Sequence, residues 1–131
     1  MPDPTIMHII NFIRGCEPRL PMDLVEPVRQ QIRLCREYGV PATWLLQYDA
    51  LIDPVYVDLL RGLDDTHEIG VWLEMVQPLC ERVGIPWRGR YPWDWHSQVD
   101  LPIGYPPRER EQLVDALFAQ FQATFGAYPR S

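Results

Sequence analysis

The chain has 131 residues and a net charge of −6, and all 12 of its basic residues are arginines. At 47% hydrophobic residues it can bury a sizeable core, so the composition predicts one domain over residues 1–131. The arginines are scattered along an acidic chain, which argues against nucleic acid or a membrane surface as a partner. The lack of lysine excludes Schiff-base and P-loop chemistry.

The chain start, MPDPTIMHIINF, has no basic segment before its apolar run, and no apolar run approaches the ~18 residues of a membrane span. We therefore expect a cytoplasmic location by default.

Cys16, Cys35 and Cys80 are odd in number, widely spaced and without a CxxC pair, so we expect buried thiols rather than disulfides or a zinc site.

The first half of the chain predicts a strand, a helix and a strand. A β-branched apolar run indicates a buried strand over residues 6–12. Apolar residues at three- and four-residue spacing predict a helix over residues 22–38, with Gly39 just beyond its end. The short apolar run at residues 42–47 follows as a second strand.

The second half repeats this order. Asp53 as N-cap before a proline predicts a helix over residues 54–63, and HEIGVWL at residues 67–73 indicates a third strand. A third helix is predicted over residues 76–83. Residues 85–107 are rich in Pro, Trp, Gly and Arg, and show no regular pattern. Helical spacing returns over residues 107–125.

Strands that alternate with helices predict the α/β class, because parallel neighbouring strands need crossover connections. Three strands do not close a barrel, and a parallel sheet needs cover on both faces. We therefore expect about three βα units of an incomplete (β/α) barrel, the amino-terminal part of a larger one. An open sheet edge would favour self-association.

Ligands of such folds bind at the carboxyl ends of the strands. Asp49 follows the second predicted strand and Glu74 the third, which suits a pair of carboxylates in acid/base or nucleophilic work on glycosidic bonds. We take them as the candidate catalytic residues. The structural alternatives are that Asp49 caps the following turn and that Glu74 pairs with an arginine such as Arg14.

The candidate substrate-binding residues lie at strand ends and in the tryptophan-rich segment 87–96. Aromatic faces stack on sugar rings, and Arg and Asp can bond to sugar hydroxyls. The segment could instead be a local hydrophobic cluster, and His96 simple polar surface. The substrate-binding candidates are Arg14, Gln47, Trp72, Arg88, Arg90, Trp93, Asp94, Trp95 and His96.

Common cofactor and metal patterns are missing from the sequence. His8, His67 and His96 show no ligand spacing such as HExxH, so no metal site is expected. Neither a Walker loop nor GxGxxG nor G-x-S-x-G occurs, and we predict no cofactor.

HEIG at residues 67–70 resembles the segment that opens the second motif of polysaccharide deacetylases. The stretches NFIRGCEPR, PATWLLQYDAL, HEIGVWLE and RGRYPWDWHS are similar to an uncharacterised bacterial family of the glycoside hydrolase and deacetylase barrel superfamily. This resemblance spans nearly the whole chain. It implies a (β/α) barrel of the deacetylase type and a carbohydrate ligand.

The chain departs from the deacetylases at their metal site. Where they carry an Asp-Asp pair, this chain has Ile13 and Arg14, and it has Trp72 and Val76 where they place metal-binding histidines. We therefore expect a carbohydrate-active hydrolase, glycosidase-like or deacetylase-like. The alternative is a non-catalytic carbohydrate-binding or scaffold protein; a deacetylase would need metal ligands from outside this chain.

Overall fold

The computed structural model describes residues 3–130 as a mixed α/β fold around a small open sheet. Its three strands are parallel and lie in the order β1-β2-β3. The predicted α/β class, with parallel strands alternating with helices, is confirmed. The elements are β1 Ile10–Ile13, α1 Val25–Tyr38, β2 Thr43–Leu46, α2 Tyr48–Leu51, α3 Pro54–Arg61, β3 Glu68–Val71, α4 Gln77–Val83, a 3₁₀ helix Pro102–Gly104, and α5 Pro107–Phe125.

The helix ends follow the local signals in the sequence. Before α1, Asp23 Oδ1 accepts hydrogen bonds from the backbone N–H groups of Val25 at 2.8 Å and Glu26 at 3.2 Å. Gly39 ends that helix with a φ of 62°, a conformation that glycine adopts without strain. Asp53 caps α3 by accepting from the Val55 N–H at 2.9 Å. These signals place helices α1 and α3 near their predicted positions.

Two predictions about regular structure were wrong. The first strand begins at Ile10 rather than at residue 6, because the first residue of β2, Thr43, pairs with Ile10 and gives earlier residues no ladder partner. Residues 85–107 contain the 3₁₀ helix, and the four-residue helix α2 was not predicted. Elements this short are below the length at which side-chain periodicity can be recognised.

The sheet is covered on one face only. Trp44 and Leu46 of β2 are fully buried against the helices. On the opposite face, Ile10 and Phe12 of β1 are 52% and 56% exposed. Alternate residues of a strand point to opposite faces, so this exposure marks a face that the helices do not cover, where Ile10 and Phe12 lie together with Thr43 and Glu68.

A single hydrophobic core joins the helices to the covered face of the sheet. Among its members are Ile13, Val28, Ile32, Trp44, Leu46, Tyr56, Leu60, Leu79, Leu113, Leu117 and Phe121. Every strand-to-strand crossover therefore packs on the same side. The segment after α4 contributes Ile85, Trp93 and Tyr105 to the same core, and polar residues follow the carboxyl ends of the strands.

The three cysteines are free. Cys35 and Cys80 are buried as predicted, whereas Cys16 is only half-buried because it lies in the loop after β1.

Among residues 3–130, none of the helices is both long enough and apolar enough to cross a bilayer.

Candidate functional site

Glu74 is the point where the carboxyl ends of all three strands meet. It follows β3 and is only 6% exposed. Arg14, directly after β1, donates from Nε and from Nη2 to its two carboxylate oxygens, each at 3.3 Å. Gln47, directly after β2, donates from Nε2 to Glu74 Oε2 at 2.6 Å. The structure thus joins three of the predicted site residues and forms the Arg14 ion pair that the sequence left as an alternative.

Asp49 holds the turns after β1 and β2 together. Its Oδ1 accepts from the Gly15 N–H at 2.9 Å and from the Ala50 N–H at 2.8 Å, so its alternative role in the turn is also present. Burial raises the pKa of Asp49 to about 6, although these N–H groups and Arg14 act to lower it. Asp49 can therefore hold a proton closer to neutrality than an ordinary aspartate.

Trp93 packs against the Arg14 side chain. The guanidinium carbon of Arg14 lies 4.0 Å from the centroid of a Trp93 ring, in cation–π contact. Trp93 is only 2% exposed, so its buried ring has no open face for a sugar. Its predicted stacking on a ligand is not possible in this conformation, because the Arg14 side chain and the core enclose the ring.

An exposed aromatic pair lies beside Trp93. Tyr91 and Trp95 stack nearly in parallel, with ring centroids 5.6 Å apart, and both rings remain partly exposed. Arg19 lies over Trp95 at 4.8 Å and pairs with Glu17 at 2.6 Å. Of the predicted loop residues, Trp95 is therefore the aromatic side chain that a ligand can reach.

Arg88 and Arg90 hold the loop itself. Arg88 Nη2 donates to the backbone carbonyls of Gln98 at 2.7 Å and Gly104 at 2.6 Å. Arg90 donates from Nε and Nη2 to the buried Asp94 carboxylate at 2.9 and 3.0 Å, and these bonds hold the pKa of Asp94 well below its usual range. Both arginines, predicted as sugar ligands, are engaged in shaping the loop.

His96 and Trp72 occupy different surroundings. His96 is exposed, and its Nδ1 accepts from the Gln98 N–H at 3.3 Å within the loop. Trp72 lies after β3 on the open face of the sheet, where its ring contacts Phe12 at a centroid distance of 4.3 Å. Trp72 therefore belongs to the apolar face as much as to the polar edge.

Asp100 is a member of the site that the sequence analysis missed. Its backbone carbonyl accepts from the Met75 N–H at 2.8 Å, which fixes it beside Glu74, and it is 7% exposed. Burial raises the pKa of Asp100, and the Glu74 charge raises it further. No local pattern marks this residue, because its place depends on a contact between distant parts of the chain.

Five buried polar atoms without a protein partner belong to residues that follow the strands or contact those residues. Among residues 3–130, six buried side-chain N or O atoms lack a hydrogen bond, and the sixth is Nδ2 of Asn11 in β1. Buried polar atoms are normally paired, so such a concentration calls for a polar ligand or ordered water. We call the residues at this edge the carboxyl-end cluster; they are Arg14, Gln47, Asp49, Trp72, Glu74, Trp93 and Asp100. The unpartnered buried atoms of the cluster are Gln47 Oε1, Asp49 Oδ2, Trp72 Nε1, Trp93 Nε1 and Asp100 Oδ1.

A cleft of about 370 Å³ opens beside this cluster, between the end of β1 and α1. Arg14, Cys16 and Glu17 line its polar side, and Phe12 and Met22 line its apolar side. A mixed lining of this kind suits a ligand with both hydroxyl groups and an apolar face.

Within residues 3–130, no three His, Cys, Asp or Glu side chains are grouped so that they could hold a metal ion.

Comparison with protein-family models, curated proteins and solved structures finds no match to this chain. The geometry of the carboxyl-end cluster therefore carries the functional conclusion.

Proposed function

We propose that this chain forms the first βα units of a carbohydrate-active (β/α) barrel, a glycosidase-like hydrolase with Glu74 at the centre of its site. The observation that carries the proposal is the set of five unpartnered buried polar atoms in the carboxyl-end cluster. A polyhydroxylated ligand offers donors and acceptors in the number needed to pair them.

The barrel component of the proposal is supported by topology. The strands follow one another in sequence order, and one core packs the helices on a single face of the sheet. A barrel is built in this way, whereas a doubly wound sheet reverses its strand order and carries helices on both faces. In a barrel, the exposed face with Ile10 and Phe12 would be the interior.

Hydrolysis of a glycosidic bond needs a carboxylate and a second carboxyl that supplies a proton. Glu74 suits the first role, because the Arg14 guanidinium pairs with its carboxylate and Gln47 fixes its orientation. For the second role, the sequence predicts Asp49, and the raised pKa of about 6 permits it. A deacetylase-like reaction is less well supported, because these residues offer no metal-ligand group.

The alternative, a non-catalytic carbohydrate-binding protein, is favoured by one observation. Both oxygens of Glu74 are engaged by Arg14, which itself rests on Trp93. A carboxylate closed in this way must be released before it can act on a substrate, whereas binding to the neighbouring cleft and to Trp95 does not require its release.

Tryptophan fluorescence tests the proposal, because Trp93 and Trp95 lie at the site. We expect at least one oligosaccharide in a broad panel of neutral, amino and acidic sugars to shift the emission of this chain. We expect Glu74→Gln to weaken that response. Glu68→Gln is the matched control, because Glu68 is exposed at the opposite end of the same strand.

Release of new reducing ends from the bound oligosaccharide then separates the two candidate functions. Hydrolysis that is lost in Glu74→Gln and kept in Glu68→Gln supports the hydrolase. Binding without any reducing-end release favours the binding protein. A panel in which no sugar changes the emission contradicts both.

A further inference from the structure

Asp100 lies against Glu74 through the backbone rather than through its side chain. The Met75 N–H donates to the Asp100 carbonyl at 2.8 Å, so the residue next to Glu74 anchors the main chain of Asp100. The carboxyl group is left free of this tie, and it is 93% buried because Asp100 is 7% exposed. The fold therefore anchors a second buried acidic residue through the residue next to Glu74 and leaves its Oδ1 without a partner among the described residues.

The surroundings of Asp100 point to a ligand. Its Oδ1 has no hydrogen-bond partner within the described part of the chain. Two further side chains of the carboxyl-end cluster, Gln47 at 0% and Trp93 at 2% exposure, also carry unpartnered polar atoms. A buried acceptor without a partner is costly, so its retention beside other such atoms is typical of a site and not of a core.

Asp100 and Asp49 differ in what their oxygens already do. Asp49 Oδ1 is committed to the N–H groups of Gly15 and Ala50, which hold two turns together. Asp100 is instead fixed through its backbone by the N–H next to Glu74, and its Oδ1 has no partner among the described residues. Asp100 is thus the buried carboxyl group whose position is set by the residue next to Glu74, and the Glu74 charge acts to raise its pKa.

We infer that Asp100 is the proton donor that works with Glu74, and that Asp49 holds the turns that shape the site. The chemistry of this inference rests on the proposed function; the coupling of the two carboxyl groups does not. In the reaction, Asp100 gives its proton to the glycosidic oxygen as the bond from that oxygen to the anomeric carbon breaks. Glu74, once released from Arg14, takes a proton from the attacking water, whose oxygen bonds to the anomeric carbon.

One water is consumed per bond, and exchange with solvent returns the proton from Glu74 to Asp100, so both groups regain their starting states. The groups that face Asp100 set its pH dependence: Glu74 and Asp94 favour the protonated form, and Arg14 opposes it. Activity should fall as pH rises through the titration of Asp100, because the donor then loses its proton.

NMR titration of carboxyl carbons in aspartate-labelled protein tests the coupling without a substrate. We expect Glu74→Gln to lower the pKa of Asp100, because a like charge is removed. Arg14→Gln should raise it, because a cation is removed. Glu68→Gln, at the far end of β3, should leave it unchanged. An Asp100 titration that does not move in either site variant overturns the inference, whatever the activity.

Hydrolysis assays provide the second test. We expect Asp100→Asn to lower the rate by about 10² to 10⁴-fold, the range for loss of a general acid. Asp49→Asn should lose less, because its amide oxygen can still accept from Gly15 and Ala50. An equal or larger loss in Asp49→Asn overturns the assignment of the donor.

The two tests also separate this inference from the proposed function. If wild-type protein releases no sugar while Asp100 responds to Glu74→Gln and Arg14→Gln, the hydrolase proposal fails and the coupled pair stands. If sugar is released but Asp100 does not respond, the hydrolase proposal stands and the pair is wrong.

Discussion

At each end of the sheet, one polar side chain accepts hydrogen bonds from groups next to neighbouring strands, but the two arrangements differ. At the amino end, His67 Nδ1 accepts from the Ala42 N–H at 3.1 Å and from the buried indole N–H of Trp44 at 3.2 Å. At the carboxyl end, Glu74 accepts from Arg14 and Gln47. In both places, the hydrogen bonds join residues of neighbouring strands, or residues next to them, that are distant in the chain.

The difference lies in what remains unpaired. His67 gives the fully buried Trp44 a partner for its one polar atom, and in that part of the sheet the unpartnered atom is Nδ2 of Asn11, which lies opposite Trp44. In the carboxyl-end cluster, five buried polar atoms have no partner among the described residues. Satisfied buried polar groups make a fold rigid, whereas unsatisfied ones cost stability and persist mainly at functional sites. The described part of the chain therefore has more unsatisfied buried polar atoms at the carboxyl end of the sheet than at the amino end.

The largest effect on stability should come from removing the two hydrogen bonds that His67 accepts at the amino end of the sheet. His67→Ala leaves the N–H groups of Ala42 and Trp44 without an acceptor in the interior, and each orphaned donor costs about 1–3 kcal/mol. We expect the free energy of unfolding to fall by about 2–4 kcal/mol in urea denaturation. His96→Ala is the matched control in the exposed loop and should change it by less than about 0.5 kcal/mol. Similar losses in both variants would contradict the role of His67.

A smaller loss is expected from crowding the carboxyl end. A β-carbon at Gly15 would lie 2.9 Å from Cγ of Asp49 and 3.0 Å from its carbonyl carbon, so the two turns must move apart. Gly15→Ala should lower the free energy of unfolding by about 1–3 kcal/mol, as overpacking does. At Gly62 the nearest atom would be 3.4 Å away, and Gly62→Ala should stay within about 0.5 kcal/mol. Equal effects at the two glycines would show that the close approach is not a constraint.

The smallest effect concerns the pH dependence of stability. The pKa of Asp49 rises from an ordinary 3.8 to about 6 on folding, so the folded state binds its proton more tightly. This contribution is present below about pH 4 and is lost as pH rises through about 6. With allowance for the partial solvent contact of Asp49, we expect a decline of about 1–2 kcal/mol across that window. The decline should be reduced in Asp49→Asn.

Urea denaturation at several pH values measures this slope. Asp65→Asn is the control, because Asp65 is exposed in the turn before β3. Asp100 contributes in the same direction, since its pKa is also raised, so a residual slope should remain in Asp49→Asn. An unchanged slope would mean that Asp49 is not the group that titrates in this range.

Local patterns predicted much of the fold. Apolar spacing predicted α1 and α5, and Asp53 with the proline after it predicted α3, because caps and periodicity depend on residues a few positions apart. The three strands were predicted, although β1 begins later than expected because its pairing with β2 decides where it starts. The short helix α2 and the 3₁₀ helix have too few residues to show a period.

The candidate site was predicted less completely. Parallel strand order is enough to bring Arg14, Gln47 and Glu74 to one edge, and the structure joins them there. The sequence could not show that Trp93 would be buried beneath Arg14 or that Arg88 would bind backbone carbonyls. It could not reveal Asp100, because the irregular segment that carries it has no period from which its path could be derived.

The amino-acid sequence by itself determined the succession of helices and strands, and with it the edge of the sheet where polar residues gather. These properties follow from local spacing and from the direction of parallel strands. Only the tertiary structure decided which polar groups find partners and which are left without one. Pairing depends on contacts such as that of Met75 with Asp100, which the packing of the loop creates, and among the described residues more buried polar atoms stay unpaired at the carboxyl end of the sheet than at its amino end.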